Sequence, residues 1–287
     1  MSDDRFLILG ANGQLGKEFK KELTARQLHV VAPDESECNI TDFDAIAKII
    51  GDIAPTHIIN CAAFNAVDDA EAKPDLAHLI NSKAVENLAR ICKRNGIFFV
   101  HYSSDYVFDG RKDGLYTEDD TPNPLNVYGK SKLGGETGVR ENLDKFLVFR
   151  TSWVFGDGTQ NFIHKLLAWA SRNRVLKLTS DEVSVPTSTH DLVAVTLLAL
   201  HKKLTGIYHL TNSGYASRYE WGRFVLQLLK KDNLVIPVPM GVFTTAARRP
   251  GFSAMSNKHI SESLGIQIPD WKEAVSRYLG IKSEDIQ

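Results

Sequence analysis

The sequence predicts an α/β protein, a doubly wound parallel sheet followed by a smaller C-terminal α/β lobe. Short apolar runs alternate with amphipathic helical patterns as far as residue 170, which calls for a parallel sheet covered on both faces. The first run, residues 6–9, leads directly into Gly10, Gly13 and Gly16. Beyond residue 172 the alternation loosens, with no repeat or linker. The expected division is therefore residues 1–172 and 173–287, intertwined and with an approximate boundary.

Composition narrows the function classes. The chain has 287 residues, of which 43% are hydrophobic, enough for a core, and a formal net charge of −1. That balance argues against a nucleic-acid surface, which needs a basic excess. Cys38, Cys61 and Cys92 have neither disulfide-framework nor metal-ligand spacing, so no metal site is expected from them. The start carries no signal-peptide pattern and no run long enough to cross a membrane. A cytoplasmic protein without membrane or nucleic-acid partners is the expectation.

The elements follow in order. Residues 6–9 form a buried strand, and apolar positions 15, 19 and 23 mark a helix. Strand, glycine turn and helix make the start of a Rossmann-like dinucleotide-binding unit. Gly10 permits the tight turn, Gly13 lets a pyrophosphate approach the backbone, and Gly16 allows close helix packing. The helix N-terminus offers free N–H groups to phosphate. Residues 29–32 are the second strand, with Asp34 near the place of a ribose ligand. No Arg follows to meet a 2′-phosphate, which favours NADH while leaving NADPH open. Asn39, Ile40, Thr41 and Asp42 open a helix. A third strand at 56–60 ends in Cys61, Ala62 and Ala63, small enough for a flat cofactor or for a packed helix. A long helix is expected at 75–95.

The fourth strand, 97–102, delivers Ser103, Ser104, Asp105 and Tyr106 at the sheet end where ligands sit in such folds. A loop at 119–126 leads to a helix running to 142, with Tyr128 and Lys132 four residues apart on one face. A phenol has a reference pKa of about 10, and a nearby cation lowers it toward the working range. A solvated helix face is the plainer reading of such a pair. The fifth strand, 146–150, precedes Thr151, Ser152 and Trp153, and a helix follows at 161–170. Strands at 176–179 and 206–211, helices at 190–201, 219–230 and 271–278, and a proline-bearing stretch at 235–239 complete the chain. Arg248 and Arg249, beside Pro250, are either loop charges or a diphosphate clamp.

In the order and spacing of Gly10-x-x-Gly13-Gln14-Leu15-Gly16, Asn60-Cys61-Ala62-Ala63, His101-Tyr102-Ser103-Ser104-Asp105-Tyr106-Val107-Phe108, Tyr128-x-x-x-Lys132, Arg150-Thr151-Ser152-Trp153 and Ala247-Arg248-Arg249-Pro250, the chain resembles the dTDP-4-dehydrorhamnose reductases of the extended short-chain dehydrogenase/reductase superfamily. The likeness implies reduction of the C4 ketone of dTDP-6-deoxy-L-lyxo-4-hexulose to dTDP-L-rhamnose with hydride from NADH or NADPH. It implies Ser104, Tyr128 and Lys132 as the catalytic set, with Tyr128 protonating the alkoxide and Lys132 lowering its pKa and holding the nicotinamide ribose. Asn12, Gly13, Gln14 and Leu15 would line the pyrophosphate, Asp34, Asn39 and Ile40 the adenosine end, and Ala62, Ala63 and Phe64 the ribose and nicotinamide side. Asp105, Tyr106 and Trp153 would meet the sugar, and Arg248 or Arg249 the diphosphate. The resemblance also allows a homodimer and a Mg²⁺ ion whose ligands the sequence does not place.

Some positions depart from the family pattern. Phe64-Asn65 stand where His-Thr is common, Asp69 replaces a Lys, Ser184 replaces a Gly, and Asn39 stands where an Asp is usual. Three alternatives accompany the main reading: reduction of another dTDP-4-keto-6-deoxysugar, a 4,6-dehydratase or 4-epimerase, and a non-catalytic NADP-binding regulatory subunit. The related dehydratases carry Asp-Glu after the strand-four hydroxyl, where this chain has Asp105-Tyr106.

Overall fold

The structure, a computed structural model, describes residues 4–281. A six-stranded parallel sheet forms its centre. In chain order the elements of the first part are β1 (Arg5–Leu9), α1 (Gln14–Ala25), β2 (His29–Val31), α2 (Phe43–Ile53), β3 (His57–Asn60), α3 (Val67–Ala72), α4 (Pro74–His78), α5 (Ala84–Asn95), β4 (Phe98–Ser104), α6 (Val127–Asn142) and β5 (Phe146–Thr151). Then come β6 (Val154–Phe155), α7 (Phe162–Ala170), β7 (Val175–Thr179), β8 (Val183–Ser184), β9 (Thr187–Ser188), α8 (Thr189–His201), β10 (Gly206–His209), β11 (Ala216–Ser217), α9 (Arg218–Leu228), β12 (Leu234–Val238), α10 (Lys258–Leu264) and α11 (Trp271–Tyr278).

The sheet runs β10-β5-β4-β3-β1-β2. Alternation along each strand sends side chains to opposite faces. Phe6 and Ile8 pack with Phe19 and Leu23 of α1 and with Leu192 and Val193 of α8. Leu7 and Leu9 pack with Ile46 and Ile50 of α2, Leu88 of α5 and Val139 of α6. Both faces are thus covered, which is why β1 reads as an unbroken apolar run.

Chain order reverses between β1 and β3, the topological switch point where such sheets bind ligands. There Gly10 has φ +74°, and a Cβ on it would lie 2.5 Å from the Ala62 amide nitrogen. A Cβ on Gly16 would lie 2.4 Å from the Gly10 carbonyl oxygen. Turn, third strand and first helix therefore close on one another only with glycine at both places.

Two features differ from the expected elements. The expected helix at 75–95 is α4 and α5 joined through a π-helical turn, Leu79–Lys83, where Asn81 turns inward to bind the Phe64 backbone. The segment containing α8 and β10 lies beyond residue 172 yet belongs to the main layer, since β10 pairs parallel with β5. The smaller lobe gathers around Phe155, Leu166, Leu178, Trp221, Val225 and Trp271. It is braced by the β7–β12, β8–β11 and β6–β9 pairs.

Candidate active site

The carboxyl ends of β1, β3, β4 and β5 open on a cleft of about 750 Å³ lined by Gly13, Gln14, Leu15, Ala62, Ala63, Phe64, Ser104, Asp105, Tyr128, Lys132 and Trp153, among others. Tyr128 and Lys132 project from the first two turns of α6. That helix starts where it does because the Asn126 side chain accepts from the Gly129 amide and Glu71 accepts from the Val127 amide at 2.8 Å.

Tyr128 is 9% exposed and Lys132 2%. Burial pushes the Tyr128 phenol up to about 12, the Ser104 hydroxyl pulls it back, and the Asp105 charge raises it further. The expected lowering by Lys132 is not what this geometry gives. The Lys132 ammonium donates to the Tyr102 carbonyl and is itself pushed down to about 8 by burial, with Glu136 opposing the fall. Tyr128 is consequently a neutral acid in the free protein.

Asn81 is fully buried, and sequence reading missed it. Its carbonyl accepts from the Phe64 amide at 2.8 Å, and its amide donates to the Phe64 carbonyl at 3.0 Å and to Ser131 Oγ at 3.0 Å. Ser131 in turn donates to the Tyr128 carbonyl at 2.7 Å. One side chain thus ties the loop after β3 to the turn that carries the tyrosine. A lone Asn inside a helical pattern gives no signal of this, although π turns recur at functional sites.

Several predicted residues sit elsewhere than expected. Asp105 lines the cleft but is 2% exposed. Its carboxylate accepts from Ser104, Ser184 and Ser253 at 3.1, 2.8 and 2.6 Å, the last two reaching it from the smaller lobe. Tyr106 does not line the cleft. It is buried, packs edge-on against Tyr128 with centroids 5.8 Å apart, and points its hydroxyl at Glu182. Arg249 forms a two-pronged pair with Asp68 at 2.6 and 3.2 Å and lines two adjoining cavities, whereas Arg248 is exposed beside one of them. At the adenosine end, Asp34 accepts from Ser36 and Glu37 within its own turn, and Asn39 accepts from Thr41. Ile40 belongs to the core. None of these three lines the cleft. Gly10 and Gly16 serve packing, and Asn12 is exposed in the loop.

Trp153 holds φ +43°, a conformation that costs a bulky residue of order 1–3 kcal/mol. The reward is its position. It stacks on Trp221 at 5.7 Å, and the Arg218 guanidinium lies 3.6 Å from its ring centroid. Trp153 and Lys165 line both the cleft and a neighbouring cavity of about 640 Å³ that also holds Phe162, Arg218 and Trp221. Arg218 is the second residue that sequence reading missed, because only folding brings it over Trp153.

The cleft suits a dinucleotide. Helix α1 has no side-chain cap at Gly13, so its first N–H groups are open to an anion. A Cβ on Gly13 would meet nothing closer than the Gly10 oxygen at 3.4 Å, so its bareness is not demanded by packing. Buried Gln14 Oε1, Ser103 Oγ and Thr151 Oγ1 have no protein partner and belong to residues lining the cleft, as polar groups awaiting a ligand do. Among the described residues no group of three or more His, Cys, Asp or Glu side chains could hold a metal ion, and no helix is long and apolar enough to cross a membrane.

The model of the RmlD substrate binding domain matches residues 4–283. A dTDP-4-dehydrorhamnose reductase from Burkholderia thailandensis is 35% identical over 94% of this chain and 96% of its own. Crystal structures of dTDP-4-dehydrorhamnose reductases superpose closely. The enzyme from Clostridium acetobutylicum has a TM-score of 0.93 at 36% identity, and that from Bacillus anthracis, in complex with NADP, a TM-score of 0.93 at 33%. Each match covers 96% of this chain and 98% of the other. With the family model spanning nearly the whole chain, and the cleft built from the motifs that first suggested it, the chain belongs to the RmlD family, that of the dTDP-4-dehydrorhamnose reductases.

Proposed function

We propose that this protein reduces the C4 ketone of dTDP-6-deoxy-L-lyxo-4-hexulose to dTDP-L-rhamnose. The observation that carries the reading is a buried, neutral Tyr128 beside Ser104 in the cleft that opens at the sheet's switch point. A nicotinamide cofactor, NADH or NADPH, would be held by the α1 N-terminus, Gln14, the Ala62–Phe64 backbone and Lys132 and would supply the hydride. Reduction then leaves a proton to be delivered to the former carbonyl oxygen. Tyr128 is protonated throughout the neutral range, and an alkoxide is a stronger base than a phenolate, so the transfer runs downhill. The Ser104 hydroxyl donates to Asp105 in the free protein; turned toward the phenol it stabilises the phenolate left behind, and the Lys132 cation adds positive charge on the same helix face.

The adjoining cavity fits the rest of the substrate. Arg218 and Lys165 are cations facing it, and Trp153, Phe162 and Trp221 provide apolar walls for a base and a deoxysugar. Arg218, which lies near Glu182, and Arg249, paired with Asp68, are our candidates for the diphosphate, since both line this cavity. Tyr106 supports reduction without dehydration: burial and the charges of Glu182 and Asp105 push its phenol up, so it is no base near neutrality.

The test follows NADH or NADPH absorbance with the 4-keto sugar nucleotide and identifies the product. Turnover to dTDP-L-rhamnose is expected. Tight cofactor binding without turnover of any dTDP-4-keto sugar would overturn the reading and favour a regulatory role.

A further inference from the structure

The amino ends of the central strands, opposite the cleft, border a separate cavity. Phe6, His57 and Phe98 stand in register on β1, β3 and β4, so their side chains share one face of the sheet. The His57 ring stacks on Phe6 with centroids 4.9 Å apart and lies 5.8 Å from Phe98. These rings line a cavity of about 590 Å³ that is also walled by Leu28, Leu197 and Leu200. Small-molecule sites span about 300–1,000 Å³. No residue lines both this cavity and the cleft. From Phe6 to Gly10 the chain climbs roughly 13 Å, at about 3.3 Å per residue.

We propose that this cavity is a further ligand site, one that takes a small aromatic carboxylate with its ring on the Phe6–His57–Phe98 row and its carboxylate at Lys145 and Lys203. The proposal does not draw on the reductase reading. Charge supports it. The chain has a net charge of −1, yet Arg26, Lys145 and Lys203 line this cavity against a single carboxylate, Asp4. Arg26 is taken by Glu22 at 2.7 Å. Among the described residues Lys145 and Lys203 form no ion pair, so both can meet an anion. Lys203 follows α8, whose carboxyl end a cation suits. That account does not extend to Lys145, which follows α6 on the other face of the sheet and still lines this cavity. The floor favours a ring over a chain because aromatic groups stack on one another. Burial holds the His57 imidazole below its usual range, with Asp4 opposing, so the row is uncharged at neutrality. Its Nδ1 lies 2.9 Å from the Thr56 hydroxyl, which fixes the ring in the row.

The test is a calorimetric titration of 2-naphthoate into protein saturated with nicotinamide cofactor, which keeps the probe out of the cleft. One equivalent should bind with a Kd below about 1 mM, and the uncharged 2-naphthamide about tenfold more weakly or worse. Lys145→Glu should weaken 2-naphthoate by about tenfold. Leu200→Trp, which fills the cavity, should abolish its binding. Both variants should keep wild-type cofactor affinity, which shows that they fold. If Leu200→Trp loses cofactor affinity as well, Lys203→Glu takes its place and should weaken the probe as Lys145→Glu does. No binding with the cofactor in place would overturn the proposal. So would equal affinity for naphthoate and naphthamide, or an affinity that neither lysine change moves. Binding of decanoate where 2-naphthoate does not bind would overturn the aromatic assignment.

Discussion

At the residue scale two pKa shifts at the cleft have one cause. Burial raises the Tyr128 phenol and lowers the Lys132 ammonium. The resemblance carries the idea of a cation that acidifies the tyrosine, but the Lys132 ammonium is held by the Tyr102 carbonyl. A rule about residues four apart says which face they share and nothing about where a flexible amine finds its acceptor. Lys132 is a cation below its folded pKa and neutral above it. If its charge supports proton transfer, kcat/KM should fall as pH rises through about 8, and the pH profile with saturating cofactor measures this. A flat profile well above that pH would remove the charge from the mechanism. Ser104, Tyr128, Lys132 and Trp153 were legible because each lies in a tight motif at a strand end or helix start. Asn81 and Arg218 were not, since their partners lie across the fold.

At the element scale, strands were legible from apolar runs and helices from their periodicity. The π turn was hidden because an extra residue in one turn barely disturbs a helical pattern. Helix α6 shows how an element is held in place. Glu136 and Arg150 of β5 form a buried pair at 2.7 Å, with side chains 3% and 6% exposed, and Arg150 also lies 5.2 Å from the Phe108 ring centroid. Such a pair stabilises little against apolar replacements, but removing one partner strands a charge. Arg150→Met should cost about 3 kcal/mol or more in urea unfolding. A loss within the scatter of surface substitutions would show that Glu136 finds other compensation, with Lys132 the nearest candidate.

For the whole molecule, the order of the lobes along the chain was only partly legible. Strand β10 reads locally as any short apolar run, and nothing in its periodicity says that its neighbour is β5. The lobes are joined near the cleft by the Asp105 cluster and by the Asp68–Arg249 pair, which also fixes the Ala247 amide on Asp68 at 3.0 Å. Partly exposed pairs contribute about 1 kcal/mol or less, so Arg249→Ala should raise KM for the sugar nucleotide several-fold while kcat changes little. The reversed pair, Asp68→Arg with Arg249→Asp, should recover part of the loss in steady-state kinetics. A fall in kcat alone would instead place Arg249 on the reacting substrate. The central claim is that this cleft holds the cofactor independently of the phenol that delivers the proton. It is tested most directly by measuring turnover and cofactor affinity together in Tyr128→Phe. The account predicts turnover reduced by about 10²–10⁴-fold with cofactor affinity unchanged, and wild-type turnover without the phenol would contradict it.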